Sequence, residues 1–135
     1  MRTVHLVPFA AAIQAGVAAI MSSHVVFAHR DQTPATFSAG FMRHLLRGEL
    51  GFQGVAISDD LEMGALRQLC PIGEAAVRAV EAGHDLLLIC SDLVLQREVF
   101  EALRRAYGGG RLVVDQLEQS LARLDALTRR FVRPS

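Results

Sequence analysis

Two adjacent aspartates, Asp59 and Asp60, stand directly after the apolar run "VAIS" in "GFQGVAISDDLEMGAL". Two other apolar runs end on groups that can do chemistry. "VAAIMSSH" delivers Ser22, Ser23 and His24, and "DLLLICSD" delivers Cys90, Ser91 and Asp92. If these runs are strands, a histidine and several carboxylates meet at consecutive strand ends, a donor set suited to a sugar or a metal. Each member also has a structural alternative. Asp60 can cap the helix that follows, and Asp92 before "LVLQREVF" has the form of an N-cap. His24 can be a satisfied core histidine, and Met63 a packing residue rather than a ligand contact.

The elements that must position these groups follow from periodicity. "VHLVPFAAAIQAG" places Leu6, Phe9, Ala10, Ile13 and Val17 at helical spacing and stops at Gly16. Strands are expected near residues 18–25, 54–58 and 86–90. Between the first two, Ser38 caps a helix through Leu50, with Phe41, Met42, Leu45 and Leu46 buried, Arg43, His44 and Arg47 in water, and Gly51 as its stop. "GEAAVRAVEAG" is a helix ended by glycine, and "DLVLQREVFEALRRAY" another, closed by the glycines at 108 to 110. In "VVDQLEQSLARLDALTRRF", Asp115 is the expected cap and Leu117, Leu121, Leu124 and Phe131 the expected stripe. Strands this uniformly apolar are covered on both faces, as in parallel α/β sheets. Periodicity alone leaves open a doubly wound sheet or part of a (β/α)8 barrel.

Bulk properties exclude more than they assign. The 135 residues suffice for one domain, and 51% hydrophobic with 21% charged content is a globular composition. Fourteen basic residues balance fourteen acidic ones, so no global field points to nucleic acid or to an anionic membrane. The apolar runs are much shorter than a membrane span, and no signal-peptide layout is visible. Cys70 and Cys90 form neither a metal spacing nor a disulfide framework, and two free thiols suit a reducing cytoplasm.

Four ordered segments resemble glycoside hydrolase family 3, in its bacterial β-N-acetylhexosaminidase branch. "LRGELGFQGVAISDDLEMGAL" is similar to that branch's "LGF-G-V-SDDL-M" pattern, which is the specific part of the likeness. "IMSSHVVFAHRDQTPATFS", "EAAVRAVEAGHDLLLIC" and "LEQSLARLDAL" resemble its flanking segments. The resemblance implies that residues 1–135 are a partial catalytic domain, about the last three βα units of a (β/α)8 barrel with its closing helix. By position Asp59 is then the nucleophile that forms a covalent glycosyl-enzyme. His24 and Met63 are expected at the sugar, and no cofactor or metal is implied. The implied substrate is an N-acetylglucosamine-containing glycan of cell-wall origin, met during peptidoglycan recycling in the cytoplasm.

The chain also departs from the family pattern. The "KH-PG-G" strand end and the "D-H" loop that carries the family's acid/base histidine have no counterpart in these residues. His5, His29, His44 and His84 lack that context. Two functions from different classes are therefore expected: a retaining hexosaminidase, or a non-catalytic half-barrel. The half-barrel would need a complementary upstream fragment, or would associate with itself. A flavodoxin-like binding module is a third reading, but "SSHVVFAHRDQ" offers no phosphate-cradling glycine loop.

Overall fold

Three parallel strands lie side by side in sequence order: β1 (Ala19–Met21), β2 (Val55–Asp60) and β3 (Leu86–Leu88). The computed structural model describes residues 5–132, so residues 1–4 and 133–135 of the expected domain, Val4 of the first expected helix among them, lie outside the described residues. The helices are α1 (Val7–Gln14), a π-helix (Gly40–Glu49), α2 (Gly64–Arg67), α3 (Ile72–Ala82), α4 (Leu93–Gly108) and α5 (Val114–Phe131). A 3-10 turn spans Ala35–Phe37. The helix–strand alternation and parallel order are those of an α/β fold and fit a slice of a (β/α)8 barrel.

The core has two main parts, with β2 between them. Met42, Leu46, Phe52, Ala56 and Ala82 pack with Ile13, Val17 and Ile20. Leu61, Leu66, Ile72, Ala76 and Val99 pack with Phe37, Leu87 and Ile89. Gly54 is required where β2 begins, because a Cβ there would meet the Ala18 carbonyl oxygen at 2.4 Å. Gly51 ends the preceding helix with φ +68°, a conformation open to glycine at low cost.

The helix expected over 38–50 is wound as a π-helix, and Leu50 N–H reaches the Leu45 carbonyl five residues back. The wider winding rotates side chains away from the faces a 3.6-residue period assigns them, and Arg47 turns inward, its side chain 17% exposed. Arg47 stacks over Phe52 at 5.1 Å and donates to the Phe52 and Gly54 carbonyls and to Asp85. Ser38 does cap this helix, its Oγ accepting from Phe41 N–H at 3.2 Å.

Asp85, just before β3, is the polar centre of the sheet's amino-terminal end. Its side chain is 1% exposed. It accepts from Arg47 at 2.5 Å, Ala56 N–H at 2.9 Å, Ser120 Oγ at 2.8 Å and Arg123 at 2.9 Å. This carboxylate decides how α5 docks. A buried anion stripped of donors costs more than an exposed leucine. Thus Ser120 and Arg123 turn inward, while Leu121 and Phe131 of the expected stripe are 55% and 62% exposed. Asp115 is not the cap: α5 starts at Val114, and Asp115 sits in its first turn, where a negative charge suits the helix dipole.

Candidate functional site

β2 runs two residues beyond the expected 54–58, so Asp59 and Asp60 are its last residues. Its ladder with β3 is irregular there. Ile57 pairs with Leu86 and Asp60 with Leu88, so three steps on β2 oppose two on β3. The extra residue is a β-bulge at 58–59, a device that re-aims side chains and breaks regular pairing. Ser58, with no exposed surface, completes the interrupted ladder, its Oγ accepting from Leu88 N–H at 3.0 Å. Asp59 is half-buried, and its one hydrogen bond among the described residues comes from Asp60 N–H to Oδ1 at 2.8 Å. A carboxylate so lightly held has lone pairs free for an incoming group.

β1 is shorter than the expected 18–25: Ser22 N–H still donates to the Ile57 carbonyl at 2.9 Å, but the Ser23 carbonyl turns away to Thr36 N–H. The loop after it folds back on itself: Val26 and Pro34 form an antiparallel bridge, and Ala35 N–H donates to the Val25 carbonyl. Asp31 accepts from Thr33 and from Ser38 Oγ, and the Ser38 bond chiefly holds its pKa below the usual carboxylate value. This fold-back brings Thr36, fully buried, against His24, Nδ1 to Oγ1 at 2.8 Å. His24 Nε2–H donates to the Asp60 carbonyl at 2.9 Å, and Met63 N–H reaches the same oxygen at 3.1 Å. Both ring nitrogens of His24 therefore face protein partners, and its carbon edges are what remain for a ligand. Met63 is 47% exposed immediately before α2.

The third strand end joins the same cluster. Glu62 accepts from Ser91 N–H at 2.7 Å, Ser91 Oγ at 2.9 Å and Asp92 N–H at 3.2 Å, tying the loop after β2 to the loop after β3. The Ser91 amide is the main reason the Glu62 carboxyl is held below its ordinary range. The Cys90 thiol is pushed up, first by desolvation and then by the Asp60 carboxylate. Asp92 caps α4, its Oδ1 accepting from Val94 N–H at 2.7 Å and from Leu95 N–H. Among the described residues no three His, Cys, Asp or Glu side chains gather as metal ligands.

Sequence reading missed Glu62, Thr36 and His84. Glu62 stands inside "SDDLEM" and carried a readable signal, a third acid within four residues of Asp59. Thr36 and His84 carried none, because only the fold-back and the return through α3 bring them to His24.

Known proteins resemble the chain as a whole. The glycosyl hydrolase family 3 N terminal domain matches residues 1–127. A beta-hexosaminidase of Xylella fastidiosa strain 9a5c is 44% identical over 63% of this chain and 25% of its own length. One from Thiobacillus denitrificans is 40% identical over 73% of this chain and 27% of its own length. A glycoside hydrolase family 3 beta-N-acetylglucosaminidase from Paenibacillus superposes with a TM-score of 0.90 at 42% identity, covering 93% of this chain and 24% of that one. The chain thus spans about a quarter of the length of the relatives it matches.

Proposed function

We propose, from the premise that this chain belongs to glycosyl hydrolase family 3, that it carries the nucleophile-bearing portion of a retaining β-N-acetylhexosaminidase. The observation that supports this most directly is the position of Asp59. It sits at the carboxyl end of the middle parallel strand, on a bulge, in a chain 44% identical to a beta-hexosaminidase over 85 residues. A retaining mechanism needs a carboxylate fixed below the anomeric carbon, ionised and unencumbered. Asp59 attacks C1, the glycosidic oxygen leaves with a proton from a general acid, and water later opens the glycosyl ester. Rigid strand geometry suits the precision this demands.

His24 and Met63 line the sugar side of the mouth in this reading, His24 by its ring edge and Met63 by its exposed thioether. The glycan carries N-acetylglucosamine at its non-reducing end, and cell-wall fragments recycled in the cytoplasm are the proposed source. The proton donor comes from polypeptide outside the elements described above, on the same or a separate chain. Such polypeptide would also cover the free edges of β1 and β3. General acid/base help is worth about 10²–10⁴-fold, so the 135-residue chain alone is expected to hydrolyse little or nothing.

The test is hydrolysis of a chromogenic N-acetylglucosaminide by the chain, alone and mixed with a fragment that carries a "D-H" loop. Turnover in the mixture that Asp59→Asn abolishes is the expected result. Undiminished turnover in Asp59→Asn would overturn the assignment of the nucleophile. Unaided turnover by the chain would show that it supplies its own acid.

A further inference from the structure

Two histidines lie at opposite ends of one row of polar side chains beneath the site. His84 is 1% exposed, and burial lowers its pKa from 6.5 to about 4, so its ring is neutral near pH 7. Its Nδ1–H donates to the Ala79 carbonyl at 2.9 Å, which leaves Nε2 bare to accept from Ser22 Oγ–H at 2.8 Å. Ser22 Oγ lies 3.4 Å from Thr36 Oγ1. Thr36 Oγ1 in turn lies 2.8 Å from His24 Nδ1, and His24 Nε2 lies 2.9 Å from the Asp60 carbonyl. Each end of the row is a backbone carbonyl, which can only accept. The termini therefore dictate where the ring protons sit.

We propose that Thr36 and Ser22 are positioning residues that fix opposite tautomers on His24 and His84, so that His24 holds the strand end bearing Asp59 through the Asp60 carbonyl. Thr36 has one hydroxyl proton and three acceptors within reach: His24 Nδ1, the Ser23 carbonyl at 3.0 Å and, at 3.4 Å, a Ser22 Oγ whose own proton goes to His84. The Ser23 carbonyl also receives Thr36 N–H at 3.2 Å, so it is not orphaned when the hydroxyl turns to the imidazole. With Nδ1 so occupied the ring proton must stand on Nε2, and only that tautomer can bind the Asp60 carbonyl. Ser22 does the converse for His84. The bearing of this on catalysis rests on the reading of Asp59 given above; the tautomers themselves do not.

Histidine-selective ¹⁵N labelling of the full chain tests it, in solution or by magic-angle spinning where the chain associates. His24→Gln and His84→Gln spectra assign the rings. The parent chain is expected to show His24 protonated at Nε2 and bare at Nδ1, and His84 the reverse. Thr36→Val should convert His24 to a mixture of tautomers with loss of its hydrogen-bonded Nε2 signal, and Thr36→Ser should restore the parent pattern. Ser22→Ala should alter the His84 Nε2 resonance and leave the His24 Nε2–H in place. A parent His24 protonated at Nδ1, or a Thr36→Val ring identical to the parent, overturns the proposal. Should Thr36→Val not fold, the parent spectrum and Ser22→Ala still decide. Loss of the hydrolysis described above with these ring patterns intact would count against the glycosidase reading alone.

Discussion

Ser58 has no exposed surface, and its hydroxyl replaces a ladder acceptor that the bulge removes. Ser58→Ala leaves Leu88 N–H buried without that partner, so a loss of about 1–3 kcal/mol is expected in urea unfolding. A loss near zero would show that the bulge closes by itself. His84 gives a pH signature. Its folded pKa, about 4, lies below the ordinary 6.5, so the protonated ring is disfavoured by the fold. Above pH 6.5 the ring is neutral in both folded and unfolded chains, and the stability is full. As the pH falls from 6.5 to 4 the unfolded chain takes the proton first, and about 3 kcal/mol is lost. His84→Gln, able to keep both bonds, should flatten the melting temperature across that window relative to the parent.

At the scale of elements, Asp85 binds the π-helix, β2 and α5 together. Asp85→Asn should cost about 3–5 kcal/mol in urea unfolding, because Arg47 and Arg123 are left half-buried beside a neutral group. The strands and their parallel direction were legible because uniform apolar runs are local signals, and the ends of those runs named Asp59 and His24 as candidates; Met63 entered only through the family resemblance. The sequence did not show which way α5 faces. Leu117, Leu121 and Leu124 have a clean helical spacing, but the partner that fixes the rotation is an aspartate thirty-five residues from Ser120. The inward turn of Arg47 was hidden for a related reason: a stripe read at 3.6 residues per turn misplaces side chains in a π-wound helix. The bulge was invisible because "VAISDD" spells the same strand with or without it. Ser22 was legible at the end of its apolar run; the contacts of Thr36 and His84 with it and with His24 were not.

For the whole molecule the open edges dominate. A 400 Å³ cleft beside β1 is lined by Phe9, Ile20, Met21 and Phe41, and a 300 Å³ cleft beside β3 by Leu86, Leu87, Val99 and Phe100. Exposed apolar edges of this kind favour pairing. The 135-residue chain by itself is therefore expected to sediment as oligomers. Phe100→Lys with Leu121→Lys, at positions 64% and 55% exposed, should shift it toward monomer with little change in melting temperature. Unaltered sedimentation of that double variant would remove Phe100 and Leu121 from the interface. Because all three strands point the same way, a parallel match joins the β3 edge of one copy to the β1 edge of the next. In the language of polymers each molecule is then a bifunctional monomer with a head and a tail. Such growth stops only by closing a ring, and its length is set by whatever caps an end. A short strand-forming peptide that fits one edge alone would behave as a chain stopper, and mean oligomer size should fall inversely with its mole fraction.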